Sequence, residues 1–425
     1  MTADEAARRA EDSARRAVVA VWRIESARIV ATLTRHTGDF ALAEDLAQEA
    51  LADALAQWPE RGVPRNGAAW LTAVAKRKAI DHWRRRERLD DRVAAIAHDL
   101  EREQDEAADA LPWDPDEIDD DVLRLVFIAC HPLLAPQARI ALTLRVVAGL
   151  ETAEIARAFL VPVATVQQRI VRAKQALADA HVPFEAPPRG ERAQRLAAVL
   201  GVLYVIFTEG HAATAGDDWM RPDLAREAIR LARTLAALQP DEPEVHGLVG
   251  LLELTAARFP ARVDAQGEPV LLADQDRRRW DRGAIRRGRA ALARAEGFGR
   301  GLGPYALQAA IAECHAVAAD VASTDWSRIV ALYGGLEQVA PSPIVTLNKA
   351  VAVSMADGPA AALAIVDRLA GEKALAIGHL LPSVRGELLS RLGRDEEARA
   401  AFSQAAERTQ NERERAILLA RAATR

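Results

Sequence analysis

The side chains of this sequence best suited to specific hydrogen bonding lie together on one face of a predicted helix, residues 164–177. That face carries no acid and consists of Thr165, Gln167, Gln168, Arg169, Arg172 and Lys174. Glutamine and arginine near the start of a helix can reach donor and acceptor groups on the edges of base pairs, and later cations can meet phosphates. We therefore predict that this face binds double-stranded DNA.

The elements around this face are those needed to hold it in a DNA groove. Residues 151–159 are predicted to form a short helix and residues 160–163 a turn, because Pro162 cannot lie inside a helix. The second helix then buries Val166, Ile170, Ala173 and Leu177, which recur at helical spacing. The arrangement is typical of a helix-turn-helix, although a solvated face of an ordinary helical bundle has the same polar pattern.

A second group of candidate binding residues lies within residues 66–88, where cations are interleaved with aromatic rings. From Trp70 to Arg88 there are seven basic residues against two acids. Such rings stack on unpaired bases while cations hold phosphates, which suits single-stranded DNA. The candidates are Asn66, Trp70, Lys76, Arg77, Lys78, His82, Trp83, Arg84, Arg85 and Arg86. The alternative is a helix with buried tryptophans and a solubilising charged face; in either case Asn66 is expected to cap it.

Composition indicates an all-α protein without a disulfide framework. Hydrophobic residues make up 50% of the 425 residues and aromatic residues 4%, and runs of β-branched residues are short. The two cysteines, Cys130 and Cys314, are far apart and belong to no metal-binding motif, which favours a reducing cytoplasm. The first 16 residues lack the apolar stretch of a signal peptide, and no membrane association is predicted.

The chain is predicted to have four segments. Residues 1–89 form a first helical domain, 90–121 an acidic linker, 122–182 a second helical domain, and 183–425 a helical extension. Residues 99–121 mark the linker, with twelve acids against one arginine. In the extension, Leu392, Ala398 and Phe402 have the spacing of a tetratricopeptide helix pair. The same spacing occurs 36 residues earlier, at Ala356, Ala362 and Val366, which predicts a tetratricopeptide-like stack.

Several segments resemble parts of bacterial RNA polymerase sigma factors. Residues 39–50, DFALAEDLAQEA, resemble the segment of region 2 that binds the polymerase clamp. The basic helix after them resembles the part that melts and reads the −10 element. Residues 134–150, LAPQARIALTLRVVAGL, resemble the start of region 4, whose helix-turn-helix reads the −35 element. Two such domains in this order, without a third between them, are similar to the extracytoplasmic-function class.

The remainder of the chain resembles the long helical extension of one subgroup of that class. The similar segments are LYVIFTEG at 203–210, PDEPEVHGL at 240–248, LLADQDRRRWDR at 271–282 and APSPIVTLNKAVAV at 340–353. His211 departs from this pattern, since a tyrosine commonly follows the glycine there. Because about 240 residues follow Pro183, we expect the extension to have a regulatory role, with a regulatory protein as a candidate partner.

The resemblance to sigma factors implies partners and binding residues. The partners are core RNA polymerase, through its β′ clamp, and promoter DNA at the −10 and −35 elements. The residues implied to contact the clamp are Asp39, Glu44, Asp45, Leu46, Gln48 and Glu49. The acids among them are expected to face a basic partner helix, opposite the apolar stripe of Leu42, Leu46, Ala50 and Leu55. Residues 61–67 are implied to cap an extruded base of the −10 strand.

The acidic linker has two interpretations. It can be a flexible tether, since the 23 residues of 99–121 span at most roughly 75 Å at about 3.3 Å per residue. In sigma factors, however, the linker passes through polymerase channels that otherwise hold nucleic acid, and dense negative charge would mimic that occupant. The second interpretation is favoured.

The sequence contains no phosphate-binding loop, zinc-protease or nucleophile-elbow motif, and no catalytic residue, metal site or cofactor is predicted. Residues 297–303, GFGRGLG, follow a predicted helix rather than a strand and are expected to form a turn. Glu209 and His211, near Asp217 and Asp218, are the cluster most like a ligand or metal pocket, although a packing role is favoured. The alternatives to a sigma factor are a helix-turn-helix transcriptional regulator with a helical ligand- or partner-sensing domain, and an enzyme in the extension.

Overall fold

Two compact units, Met1–Val202 and Leu203–Arg425, make up the structure, which is a computed structural model. The structure describes residues 3–86, 115–159, 161–185, 187–211, 215–216, 220–264, 268–376 and 378–423. Within these ranges nearly all regular structure is helical, which confirms the prediction of an all-α fold. The exception is a parallel pair of two-residue strands in the second unit, β1 (Ala215–Gly216) and β2 (Gln410–Asn411).

The first domain consists of α1 (Ala3–Thr37), α2 (Phe40–Arg61) and α3 (Gly67–Arg86), and α1 packs against both other helices. The predicted capping role of Asn66 is confirmed, because its Oδ1 accepts a hydrogen bond from the Ala69 amide at 3.0 Å. α2 continues through Pro59 and ends two residues later, at Arg61. A proline in the last turn removes one intrahelical bond and leaves the earlier ones intact. Gly62, with a φ of 85°, then ends the helix.

The second domain consists of α4 (Pro115–Ala129), α5 (Pro136–Val146), α6 (Thr152–Ala158) and α7 (Val163–Asp179). The predicted helix-turn-helix is confirmed as α6, a turn that contains Pro162, and α7. The predicted buried face of Val166, Ile170, Ala173 and Leu177 is also confirmed. α7 packs against α5 and α6, and its other face is thereby held away from the core of the domain.

The predicted acidic linker overlaps the start of α4, since it ends at residue 121 whereas α4 begins at Pro115. Asp121 is 1% exposed, and its carboxylate pairs with Arg124 at 2.5 Å and with Arg35 of α1 at 3.4 Å. A buried acid is tolerated when cations satisfy it, so this end of the acidic run belongs to the folded domain. Residues 90–114 of the predicted linker lie outside the described residues.

The second unit begins within α8 (Arg189–His211) and continues through a series of helix pairs. The further helices are α9 (Pro222–Leu238), α10 (Pro243–Ala256), α11 (Arg282–Gly297), α12 (Pro304–Val317), α13 (Trp326–Val339), α14 (Pro343–Ala356), α15 (Pro359–Arg368), α16 (Leu380–Arg391), α17 (Asp395–Arg408) and α18 (Glu412–Ala423). Most of them pack against the next helix along the chain, as in a helical repeat. Four residues of the predicted repeat, Ala362, Val366, Ala398 and Phe402, are buried in one core. The tetratricopeptide character of this stack stays a prediction.

One helix among the described residues is long and apolar enough to cross a membrane by length and composition. It is the part Ala193–His211 of α8, which has a mean hydropathy of 1.2. Of this apolar stretch, 44% is buried inside the protein. A core helix of a globular protein can have the same length and composition, so this helix alone is weak support for a membrane span.

Candidate nucleic-acid and protein interfaces

The polar face of α7 is positioned by its buried opposite side. Gln167, Gln168 and Arg172 are exposed on this face, and Thr165 and Arg169 are half-buried. Val166 and Ile170 anchor the helix at 1% and 7% exposure, so the polar side chains between them point away from the core. Amide and guanidinium groups held in this way can form bidentate bonds with base edges. Five of the six residues predicted for this face therefore reach the surface, three of them exposed and two half-buried.

Lys174, the sixth predicted residue, contacts the first domain. Its ammonium group forms ion pairs with Glu44, in a short contact, and with Asp45 at 2.8 Å. Burial alone would lower the pKa of Lys174, but the two carboxylates outweigh burial and the pKa is raised. The lysine is therefore charged at neutral pH. In this arrangement the ammonium group is paired with two acids. It could bind a DNA phosphate only after these ion pairs were broken.

Two of the predicted clamp residues support α2 itself. Asp39 caps the helix, and its Oδ1 accepts hydrogen bonds from the amides of Ala41 and Leu42 at 2.8 and 3.0 Å. Leu46 is 4% exposed and lies in the hydrophobic core, where it cannot touch a partner protein in this conformation. The segment that suggested polymerase binding therefore includes residues with structural roles.

The acids of α2 are divided between the core and the surface. Asp45 and Glu49 are exposed, but Glu44 is 3% exposed. The expectation that these acids are free to face a partner helix is therefore wrong for Glu44 in this arrangement, where the second domain covers it. The physical reason is that α2 packs against α1 and also against α7, so more of its circumference is covered than a single apolar stripe predicts.

Arg145 of α5, which sequence reasoning missed, completes the contact with α2. Its Nη2 donates a hydrogen bond to Gln48 Oε1 at 2.6 Å, and its Nε lies 3.5 Å from Glu44 Oε1. A signal for this residue exists, because Arg145 is the one charged residue within 140–150. A lone charge in an apolar helix requires a partner. Gln48, a predicted clamp residue, is thus also hydrogen-bonded to the second domain.

The tryptophan at the start of α3 packs on the core of the first domain. Trp70 is half-buried and lies edge-on against Trp58, with ring centroids 5.6 Å apart at an interplanar angle of 74°. The nearby loop also approaches Trp58, since a Cβ at Gly67 would lie 2.7 Å from Trp58 Cη2. Only glycine fits so close to the ring. The roles of Trp70 and of the loop 61–67 at the −10 strand stay predictions.

The cations of α3 differ in their surroundings. Lys78 pairs with Asp53 at 2.9 Å and with Glu49 at 3.4 Å, so it neutralises acids of α2. Arg77 is exposed, whereas Lys76 and His82 are half-buried. The helix continues to Arg86, but the side chains of Trp83, Arg84, Arg85 and Arg86 lie outside the described residues.

In the second unit, the side chains of Glu209 and His211 are engaged by neighbouring residues and do not line an open pocket among the described residues. Glu209 forms a short ion pair with Arg221. The His211 ring packs against both Phe207 and Phe259, and its centroid lies 5.8 Å from the centroid of each. Burial, and then neighbouring arginines, hold the pKa of His211 well below its usual value, so the ring is neutral. Asp217 and Asp218 lie outside the described residues.

The other candidates for chemistry have structural roles. Cys130 and Cys314 are buried thiols, and burial raises the pKa of Cys130 to about 11, which makes it unreactive at neutral pH. Gly299 and Gly301 have φ angles of 65° and 78° in the turn between α11 and α12, as expected for GFGRGLG. The described part of the chain contains no group of three or more His, Cys, Asp or Glu side chains that could hold a metal ion.

Three protein-family models match separate parts of the chain. Residues 21–89 match sigma-70 region 2, and residues 124–177 match sigma-70 region 4. Residues 195–296 match a family of unknown function, DUF6596. The first two matches fall on the two domains that carry the candidate interfaces, and the third begins in α8 and ends in α11.

Curated relatives cover the chain to different extents. An uncharacterized protein of Rhizobium meliloti is 47% identical over 374 residues, which cover 88% of this chain and 87% of the relative. The probable ECF RNA polymerase sigma factor SigI of Mycobacterium tuberculosis is 28% identical over 179 residues. That alignment covers 41% of this chain and 59% of SigI. No solved structure matches the chain.

Proposed function

Because this chain belongs to the sigma-70 family, as a sigma factor of the extracytoplasmic-function type, we propose that three of its helices each make a different contact with polymerase or promoter DNA. As a sigma factor it binds core RNA polymerase and directs it to promoter DNA. α2 binds the β′ clamp, α3 holds the melted −10 strand, and α7 reads the −35 element. We call the domain of α1–α3 region 2 and that of α4–α7 region 4.

The reading face of α7 is the observation that carries this assignment. Gln167, Gln168 and Arg172 are exposed on a helix whose opposite side is buried, and the helix 163–177 contains no acid. A recognition helix in the major groove requires this combination of a fixed inner side and a polar outer side. Arg169 and Thr165, which are half-buried, complete the set of side chains proposed to reach base edges.

On the polymerase side, Asp45 and Glu49 are the acids of α2 best placed to meet a basic clamp helix, because both are exposed. Glu44 and Gln48 belong to the same proposed contact but require the release of cations from region 4. On α3, exposed Arg77 and the run from Trp83 to Arg86 are proposed to hold the −10 strand.

Sigma factors in general are non-enzymatic initiation factors, and we assign this chain no chemistry of its own. Its partners are core polymerase and promoter DNA, so we place its action in the bacterial cytoplasm. The extension after region 4 is proposed as a regulatory module, because its residues Leu203–Arg425 form a compact unit with its own cores. Stacked helix pairs present an extended surface that suits a peptide or a protein domain, and a regulatory protein is the candidate occupant.

Reconstitution with purified core polymerase tests the proposed function. The chain should co-elute with core polymerase in gel filtration, and a specific run-off transcript should appear from a template with −35 and −10 elements. Omission of the chain should abolish that transcript. A helix-turn-helix regulator would instead bind duplex DNA without polymerase and give no transcript in this minimal system, and that result would overturn the proposal.

A further inference from the structure

The segment that contains α11 concentrates positive charge in a chain whose net charge is −5. Residues 277–300 include nine arginines and two acids, Asp281 and Glu296. On an ordinary solvated helix, acids three or four positions from the cations balance the charge. The part of α11 from residue 282 to residue 295 contains no acid. Its charge pattern is therefore typical of a surface that binds an anion.

The inner side of α11 is packed, so its arginines lie on the solvent side. The residues that it buries are Ala284, Ile285, Gly288, Leu292 and Ala295. Arg282 and Arg286, about one turn apart, are exposed, and within the described ranges neither has a hydrogen bond or an ion pair. Like charges four positions apart destabilise a helix. An anion bound between these two arginines would remove that repulsion.

The acids next to this pair are each shared by two arginines. Glu253 of α10 pairs with Arg287 at 3.1 Å and also with an arginine of α9. Glu313 of α12 lies 2.7 Å from Arg289 and 4.0 Å from Arg328 of α13. One carboxylate cannot neutralise two guanidinium groups, so positive charge remains at both places. The basic surface around α11 thus keeps its charge in the folded protein.

Two guanidinium groups come together above Gly283, in the first turn of α11. A Cβ at this glycine would lie 3.1 Å from Arg287 Nη1 and 3.9 Å from Arg286 Nη2. The neighbouring acid, Asp281, caps the helix, and its Oδ1 accepts hydrogen bonds from the amides of Gly283 and Ala284 at 2.7 and 3.0 Å. Because glycine has no side chain, the two guanidinium groups are close enough to bind one phosphate group together.

The composition of α11 favours the backbone of duplex DNA over other anionic partners. Between its arginines the helix exposes Ala290 and Ala293, and it contains no aromatic residue. Unpaired bases stack on aromatic rings, and the centres of protein interfaces are rich in aromatic side chains. Arginines among small side chains instead suit the dense and regular charge of DNA phosphates.

We propose that the exposed face of α11 is a further DNA-binding surface of this chain, which binds the phosphates of duplex DNA upstream of the −35 element. The inference rests on the proposed −35 contact of α7. Because α8 begins at Arg189, soon after α7 ends at Asp179, a promoter held by α7 is at high effective concentration for the extension. Phosphate contacts carry no sequence information, so this surface adds affinity without changing promoter choice.

Binding of holoenzyme that carries both Arg282→Gln and Arg286→Gln to promoter DNA tests this surface. Glutamine has nearly the helix propensity of arginine and removes the charge. On a fragment that extends upstream of the −35 element, the variant should bind about tenfold more weakly than the wild type at about 50 mM salt. The slope of log K against log salt should become shallower by about two, because two phosphate contacts are lost. The loss should be equal for intact and altered −35 elements.

The matched control combines Arg368→Gln with Arg399→Gln. Both arginines are exposed, on α15 and α17, and neither has a partner in the described part of the chain. This control removes the same charge from the extension and should bind as the wild type does. A shorter fragment that ends at the upstream edge of the −35 element should bind all three proteins equally, because it lacks the proposed contact.

Photocrosslinking tests the contact directly in the full-length holoenzyme. An azidophenylalanine in place of Ala293, which is exposed between the arginines of α11, should become joined to DNA upstream of the −35 element. The same group in place of Ala400, an exposed residue of α17, should give no such product. Equal products from the two positions would overturn the proposal, as would the absence of a product from the first.

The affinity measurements separate this proposal from the function on which it rests. Equal affinities and salt dependences of the three proteins on the longer fragment would overturn the α11 surface and leave the sigma-factor assignment intact. Weaker binding of the α11 variant to core polymerase without DNA, seen by gel filtration, would overturn it in favour of a protein partner. Failure of all three proteins to bind either fragment would overturn the −35 contact and this proposal with it. Circular dichroism establishes that each variant is folded.

Discussion

Among single residues, burial and local bonding separate the side chains that can read DNA from those that support the fold. Gln168 is exposed on α7, whereas Ile170, two positions further, is 7% exposed. Gln175 is exposed as well, but its amide donates a hydrogen bond to Asp179 at 2.7 Å within the same helix. Gln168 and Gln175 are therefore a matched pair of glutamines, of which the first alone belongs to the proposed reading face.

Gln168→Ala should weaken recognition of the −35 element by about 1–3 kcal/mol, because a base contact is lost. Gln175→Ala, the control, should leave recognition unchanged. Binding of the holoenzyme to promoter fragments with intact and altered −35 elements measures the difference. If neither Gln168→Ala nor Arg169→Ala changed promoter choice or affinity, α7 would not be the reading helix.

Two half-buried histidines of the second unit are held in their neutral form. Burial, followed by the charges of Arg258 and Arg277, lowers the pKa of His315 to about 4. Its ring lies edge-on against Trp326 with centroids 5.2 Å apart, and its Nδ1 is buried without a hydrogen-bond partner among the described residues. His211 is likewise held below its usual pKa. Protonation of either ring is therefore resisted by the folded state.

Acid should destabilise the second unit through His315. In the unfolded chain His315 binds a proton below its ordinary pKa of 6.5, whereas in the folded chain it does so only near pH 4. The contribution of neutral His315 to the free energy of unfolding is therefore fully present above pH 6.5. It is lost as the pH drops toward 4, and the loss at pH 4.5 is roughly 2–3 kcal/mol. Thermal unfolding of wild type and His315→Phe between pH 7.5 and 4.5 measures this contribution. An equal pH dependence of the two proteins would contradict it.

At the level of elements, the exposed acids of α2 are already paired with lysines of the same chain. Its exposed acids, Asp45 and Glu49, form ion pairs with Lys174 at 2.8 Å and with Lys78 at 3.4 Å. Exposed ion pairs contribute only about 0–1 kcal/mol each, so pairs with polymerase can replace them. The surface of α2 is thus suited to an exchange of partners.

Asp45→Lys combined with Glu49→Lys should abolish complex formation with core polymerase, because the reversed charges repel a basic partner helix. The chain should remain folded, since both side chains are exposed. Glu60→Lys, an exposed position near the end of α2, is the control. Gel filtration detects the complex, and circular dichroism detects folding. A complex of normal affinity would place the clamp contact elsewhere on the chain.

The helix-turn-helix could be predicted because its signals are local. Pro162 separates the two helices, and Val166 and Ile170 recur at the spacing of one helical face. The burial of Glu44 could not be predicted in this way, because its partner Lys174 is 130 positions away. No periodic pattern links such residues. The faces of α2 were therefore misjudged where region 4 covers them, whereas the buried face of α7 was predicted correctly.

For the molecule as a whole, the extension is stabilised by buried ion pairs and hydrophobic cores of its own. Glu253 of α10 is 1% exposed and pairs with Arg233 of α9 and Arg287 of α11. One buried carboxylate thereby links three successive helices. Separate cores lie around Trp280 and around Phe402. A module with this much internal packing can act as a body of its own, which is the property that in-chain regulation requires.

Removal of the extension by a cut after Ala186 should leave a chain that folds and binds DNA but whose transcription differs markedly from that of the full-length protein. We expect lower activity, on the view that the extension helps to hold the holoenzyme together. A second cut, after Val202, retains the part of α8 that belongs to the first unit and is the control for loss of those residues. Run-off transcription in vitro and a promoter reporter in cells measure the outcome. If both truncated chains transcribed at the full-length level, the extension would not control the sigma regions and would instead be a docking platform for a separate partner.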